Sequence, residues 1–184
     1  MREKIKQKLD ELGVARIKFY RHKSPVCHNI FTACLLLDDQ NVLLSRGIAI
    51  CSVLDPFSKI TGRGISFGRA FTALKDASDS GLINHLLRWK DESVRRSLQI
   101  KRKEDADFFY NEVAPVLKQL NDEIGITPAE VNTYLEERRN GSMRKTITYR
   151  IPRNYPVQET SRMFKYKSAY RPELTETERG FLSG

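Results

Sequence analysis

The chain has 184 residues, of which 40% are apolar and 30% are charged. This length allows one hydrophobic core with a smaller appended unit. No apolar run approaches the roughly 20 residues that a transmembrane helix needs, and residues 1–12 are too charged for a signal segment. The three cysteines lie in apolar surroundings, which is typical of reduced thiols in the cytosol. We therefore expect a cytoplasmic protein with no membrane partner.

The formal net charge of +9 is concentrated at the two ends of the chain. Residues 1–80 contain 13 Lys and Arg against 8 Asp and Glu, and residues 143–184 contain 9 against 4. Residues 81–142 are nearly neutral, with 10 against 11. Basic ends on a small protein favour a polyanionic partner, most often a nucleic acid. The alternative is that this net charge only keeps the protein soluble and has no specific partner.

The first elements in chain order are a predicted helix and a predicted strand. Residues 2–12 place apolar side chains at helical spacing, and Gly13 then ends the helix. Residues 15–22 (ARIKFYRH) alternate between two faces, with Ile17 and Phe19 on the apolar one. This alternation predicts a half-buried strand.

A hairpin and a second helix follow. Residues 29–52 contain two apolar runs on either side of Asp38–Asn41, which are turn residues. Residues 54–65 are predicted to form a glycine-rich loop, and Ser66 is predicted to cap the next helix. Residues 1–80 thus predict an α-β-β-β-α unit, in which an antiparallel three-stranded sheet packs on two helices.

The rest of the chain has a different pattern. Residues 81–142 are predicted to be a helical segment, with a kink or restart at Pro115 and a capping box at residues 127–130. Residues 143–184 are predicted to be an extended basic arm, because aromatic residues and prolines are interleaved with cations, and residues 144–151 within it are a candidate edge strand. The whole chain is therefore predicted to be an α+β protein divided into residues 1–80, 81–142 and 143–184.

No pattern in the sequence is typical of catalysis or of a cofactor. The segment GRGISFG (residues 62–68) is one residue away from a dinucleotide-binding fingerprint and has no Walker-type lysine. The cysteines, with His22 or His28, lack the paired spacing of zinc ligands. We predict a protein that is not an enzyme and has neither cofactor nor metal. An enzyme acting on nucleotides is the weakest alternative.

The same glycine-rich segment contains three cations, Lys59, Arg63 and Arg69. A helix N-terminus offers unpaired N–H groups and the positive end of its dipole to phosphate oxygens. This combination predicts contact with a phosphodiester backbone. The alternative is that Gly62 and Gly64 only allow turns in a solvated loop.

Residues 1–77 resemble the double-stranded RNA-binding domain in the order of their elements. The residues that carry the resemblance are PVCH at 25–28 followed by Phe31, the pair Ser58-Lys59, and GRAFTAL at 68–74. In that family cations open the last helix directly, whereas here the predicted loop separates Lys59 from it. The segments RGIAICS and GRA also resemble small accessory proteins of bacteriophages.

This resemblance implies a role for individual residues. Lys4 and Lys8 on the first helix, and the loop at His28, would each meet a minor groove. Lys59, Arg63 and Arg69 would contact phosphates across the intervening major groove. The resemblance therefore favours RNA over DNA as the partner.

The C-terminal residues are a second candidate surface. Aromatic side chains between cations can stack with bases while the cations contact phosphates. The candidate residues are Arg150, Arg153, Lys165, Tyr166 and Lys167. The same composition suits an arm that orders on a protein partner or on a second copy of the chain.

We conclude from the sequence that the chain is a non-enzymatic nucleic-acid-binding protein with weak sequence specificity. The alternative is a protein-interaction module, such as a small inhibitor or an assembly factor, that uses the helices and the arm.

Overall fold

The computed structural model describes residues 3–24, 30–51, 56–83, 93–100, 103–124, 132–137, 143–152 and 155–183. The helices are α1 (Glu3–Glu11), α2 (Lys59–Lys75), α3 (Lys103–Phe108), α4 (Ala114–Ile124), α5 (Tyr155–Met163) and α6 (Glu176–Ser183), with a π-helical segment at Phe109–Val113. The strands are β1 (Arg16–Lys23), β2 (Ile30–Leu37), β3 (Leu43–Ile50), β4 (Ser80–Leu82), β5 (Ser93–Ile100), β6 (Asn132–Glu137), β7 (Met143–Pro152) and β8 (Tyr166–Tyr170). None of the described helices combines the length and the apolarity needed to cross a membrane.

The chain divides into two compact units. The first unit consists of residues 1–23, 29–85 and 156–184, and the second consists of residues 24–28 and 86–155. The first unit is thus discontinuous in sequence, because the second interrupts it.

The first unit is built on an antiparallel sheet with the strand order β1-β2-β3-β8-β4. The predicted α+β class with antiparallel β1, β2 and β3 is confirmed. The predicted hairpin turn is also present, since the Asp38 carboxylate accepts hydrogen bonds from the backbone N–H groups of Gln40 and Val42. The sheet has five strands instead of three, because β8 and β4 extend it beyond β3.

Helices cover both faces of this sheet. On one face, α1 and α2 pack on Cys34 and Leu36 of β2 through Leu9, Ala70 and neighbouring apolar residues. On the other face, α5 and α6 pack on the alternate β2 residues, from Phe31 to Leu37. A strand that is buried on both sides carries apolar residues at nearly every position, which explains the continuous run IFTACLLL in β2.

Helix α2 lies unusually close to β3, and glycine permits this approach. A Cβ atom on Gly47 would lie 2.0 Å from the backbone oxygen of Ser66 and 2.4 Å from the backbone nitrogen of Ala70. The neighbouring Ser45 hydroxyl donates a hydrogen bond to the Ala70 carbonyl at 2.9 Å. Gly47 is therefore required for this helix–strand contact.

A buried ionic cluster attaches α6 to the sheet. Arg46 of β3 donates from Nε to Oε1 of Glu178 at 2.6 Å, and its Nη2 donates to Oε2 of the same carboxylate. The Tyr20 hydroxyl also donates to Glu178 Oε1, at 3.0 Å. Glu178 is fully buried, and it further accepts a hydrogen bond from the backbone N–H of Thr175, whose hydroxyl in turn caps α6.

The second unit contains an antiparallel sheet with the order β5-β7-β6. Phe109, Val113 and Leu117 pack against Ile147, Tyr149 and Ile151 of β7. The helical residues and the strand thus share one hydrophobic core. The helix that was predicted to kink or restart at Pro115 continues without a gap from Lys103 to Ile124, and the π-helical segment directly precedes Ala114 and Pro115.

Two predicted segments differ from the structure. Residues 93–100 and 132–137, within the segment predicted to be helical, form strands β5 and β6; the predicted capping box at residues 127–130 lies outside the described residues. In the predicted extended arm, residues 144–151 do lie in a strand, β7, but it is the central strand of its sheet and not an edge. The other described residues after residue 152 form α5, β8 and α6. Pro156 does not prevent α5, because it lies in the first helical turn, where its missing N–H needs no partner.

Candidate nucleic-acid interface

Helices α1 and α2 present cations on the same side of the first unit. Both helices pack on one face of the sheet, so their outer surfaces form a single layer. Lys4 and Lys8 of α1 are exposed, and so are Lys59 and Arg63 of α2. Helix α2 has four cations and no acidic residue among its 17 residues.

The N-terminal end of α2 differs from the prediction. The helix begins at Lys59, and its N-cap is Ser58, whose hydroxyl accepts a hydrogen bond from the Thr61 N–H at 3.2 Å. Ser66, the predicted cap, is buried inside the helix. The glycines at 62, 64 and 68 are helical residues and do not form a loop. Lys59 and Arg63 therefore lie in the first two turns, where the dipole of the helix is positive.

Two exposed cations, one on α2 and one on β1, lie over aromatic rings. The Arg63 guanidinium carbon is 5.2 Å from the centroid of the Phe19 ring, and that of Arg21 is 5.7 Å from the centroid of Phe57. Such contacts are typical of cation–π pairs and hold a guanidinium in place without neutralising its charge. Arg21 is not among the residues predicted from the sequence, although the alternation of residues 15–22 places it on the same face of β1 as Phe19.

Arg69 has a different environment from the other α2 cations. It is half-buried, and its Nη1 donates a hydrogen bond to the backbone carbonyl of Ile48. Burial lowers the pKa of its guanidinium. This side chain therefore joins α2 to β3, and it is less accessible to a ligand than Lys59 or Arg63.

A groove lies beside the first turns of α2. It has a volume of about 450 Å³ and is bordered by the adjoining ends of β2 and β3. Phe57, Thr61 and Ile65 line its α2 side, while Thr32 and Ile50 line its sheet side. The floor is close-packed, since a Cβ atom on Gly62 would lie 2.8 Å from the Thr32 hydroxyl oxygen.

The remaining predicted site residues are not part of this surface. Lys165, Tyr166 and Lys167 lie at the β4–β8 end of the sheet, whereas β1 forms the opposite edge. Lys165 is exposed beside the ring of Tyr166, and the stem of Lys167 approaches Gly81. Arg150 lies on β7 in the second unit, opposite Arg95 of β5. His28 and Arg153 lie outside the described residues.

Several titratable groups of the first unit lie in its interior. Cys34 is fully buried, and this burial raises the pKa of its thiol to about 12. Burial, followed by the Glu178 carboxylate, raises the pKa of Tyr20. Among the described residues, no group of His, Cys, Asp and Glu side chains is arranged to hold a metal ion.

Comparison with known proteins identifies no relative. No family model, no curated protein and no solved structure matches this chain.

Proposed function

We propose that the chain is a nucleic-acid-binding protein that contacts the phosphate backbone through α1 and the N-terminal half of α2. The observation that carries the proposal is the charge of α2, which has four cations and no acid. Lys59 and Arg63 are exposed there and form no ion pair with a carboxylate among the described residues. Charges that are not neutralised within the protein remain available to an anionic ligand.

The start of α2 at Lys59 also supports the proposal. In the double-stranded RNA-binding domain, which residues 1–77 resemble, several lysines open the last helix directly. In this chain one lysine, Lys59, follows the N-cap Ser58 at the start of α2, and Arg63 lies one turn later. The preference for RNA over DNA depends on this resemblance and belongs to the proposal. A cytoplasmic location also belongs to the proposal. The same is true of a contact with a protein partner, or with a second copy of the chain, through residues 143–184.

The proposal predicts a binding equilibrium that depends steeply on salt. Four cations, Lys4, Lys8, Lys59 and Arg63, are available for phosphate contacts, and each contact releases counterions. The logarithm of the binding constant should fall against the logarithm of salt concentration with a slope of roughly −3, at about 0.7 to 0.9 per contact. Fluorescence anisotropy with labelled RNA and DNA strands measures this slope.

The double substitution Lys59→Ala/Arg63→Ala should weaken binding several-fold and flatten the slope by about 0.7 to 0.9 per lost contact. Lys75→Ala is the matched control, since Lys75 lies in the last turn of the same helix, 3.4 Å from the Asp76 carboxylate. Circular dichroism of each variant checks the fold. Unchanged binding by the double variant, or no binding to any strand at low salt, would refute the proposal.

The rival function is a protein-interaction module. Exposed apolar residues on α2, such as Ile60, give it some support. Affinity capture from a lysate, with and without nuclease, separates the two functions. Protein partners that survive nuclease digestion favour the rival, whereas partners that are lost together with nucleic acid favour the proposal.

A further inference from the structure

The groove beside α2 has apolar walls that are open to solvent. Phe57 and Ile65 line it and are 37% and 45% exposed. Its volume of about 450 Å³ falls within the range of roughly 300–1,000 Å³ that is typical of small-ligand pockets. The hydroxyl-bearing residues Thr32 and Thr61 add polar groups to these walls. The groove can therefore bury an apolar ring and also hydrogen-bond its edge.

The surroundings of the groove are cationic. The Arg21 guanidinium lies over the Phe57 ring, and Lys59 follows Phe57 two residues later at the start of α2. No Asp or Glu occurs among its described lining residues. Charge complementarity therefore selects a ligand that is anionic and also has a flat apolar part. A nucleotide unit within a strand combines these two properties.

We infer that this groove binds an unpaired base of a single-stranded nucleic acid. The base stacks on Phe57 and contacts Ile65, while Lys59 and Arg63 contact the adjoining phosphates. Bases inside a duplex are stacked and paired, so their faces are not accessible to a side chain. The inference depends on the proposed function and specifies its ligand as a single strand or a loop.

The first test uses the unmodified protein. Its affinity is measured for a short single-stranded RNA, for a strand with the same backbone whose central nucleotides are abasic, and for the corresponding duplex. Stacking of one base on an aromatic side chain should make the base-bearing strand bind at least about fivefold more tightly than the abasic strand. Equal affinities for the two strands, or tighter binding of the duplex, would overturn the inference.

The second test uses a matched pair of variants. Phe57→Ala should lower the affinity for the base-bearing strand at least about fivefold and leave the affinity for the abasic strand unchanged. Ile60→Ala is the control, because Ile60 is 86% exposed nearby but does not line the groove. Thermal unfolding checks that each variant is folded. Ile65→Ala replaces Phe57→Ala if the latter is unstable.

These experiments separate the inference from the proposed function. If Lys59→Ala/Arg63→Ala weakens binding but base-bearing and abasic strands bind equally, the proposed phosphate contacts are supported and the proposed base site is refuted. If no strand binds at low salt, both fail. A loss of affinity with Ile60→Ala as large as that with Phe57→Ala would also overturn the base site.

Discussion

At the scale of single residues, His22 links β1 to α5. Its Nε2 lies 2.5 Å from Oε1 of Glu159, and its ring stacks on Phe31 with a centroid distance of 5.1 Å. The hydrogen bond to Glu159 raises the pKa of His22, although partial burial opposes the shift. The folded protein therefore binds this proton more tightly than the unfolded chain, where the pKa of a histidine is about 6.5.

The His22–Glu159 pair should stabilise the protein most at low pH. Since the pKa is raised by folding, the contribution is fully present below about pH 6.5 and is lost as the pH rises through the folded value. Urea unfolding of the wild type and of Glu159→Gln should therefore differ more at about pH 6 than at about pH 9.

Glu173→Gln is the control for this measurement, since Glu173 is an exposed carboxylate. A difference between wild type and Glu159→Gln that stays constant across this pH range would contradict the assignment of the pair.

The sequence shows which residues are cationic, but it does not show which of their side chains face solvent. Lys4, Lys8, Lys59 and Arg63 are exposed, as a binding surface requires. Arg69 turns inward because a carbonyl of β3 accepts a hydrogen bond from its guanidinium, and that carbonyl is 21 residues away in sequence. Arg46 is buried because it forms an ion pair with Glu178, which lies near the C-terminal end of the chain. Local patterns carry no information about such distant partners.

At the scale of elements, the contact between α2 and β3 makes one glycine essential and leaves another replaceable. Gly47→Ala would push a methyl group into the backbone of α2, and overpacking of this kind costs about 1–3 kcal/mol, occasionally more. Gly64→Ala, inside α2, meets nothing within 4 Å and should stabilise the protein by about 0.5–1 kcal/mol.

Thermal unfolding of the two alanine variants measures these opposite effects. A lower melting temperature for Gly64→Ala would contradict the helical state of this segment. An unchanged melting temperature for Gly47→Ala would contradict the close contact between α2 and β3. The Gly64 variant also tests the helical state of this segment, since a flexible loop would not gain stability from helix propensity.

The elements that were predicted correctly are those whose signal is local. Helix α1, the alternation in β1 and the hairpin turn at Asp38 each follow from nearby residues. The start of α2 was misplaced because its three glycines lower helix propensity by about 1 kcal/mol each, and packing on the sheet compensates for this. Strand β5 was predicted as helix because Val94 and Leu98, four residues apart, fit both a helix and a strand.

At the scale of the whole molecule, the Arg46–Glu178–Tyr20 cluster determines whether α6 stays on the first unit. Glu178→Ala would leave the Arg46 guanidinium buried without its carboxylate, and the loss of one partner from a buried pair costs about 3–5 kcal/mol. Denaturant unfolding should show a loss of this size. Glu176→Ala, on the exposed surface of the same helix, should change stability far less; equal effects would show that the cluster does not hold α6.

The position of β8 in the sheet has a consequence for synthesis. This strand pairs with both β3 and β4, yet it is translated after the whole second unit. During translation, β3 therefore keeps an unpaired edge until residue 170 has emerged from the ribosome, after the whole interrupting segment has been synthesised. Because unpaired strand edges promote aggregation, the exposure of this edge in the nascent chain grows with the time taken to translate the insertion.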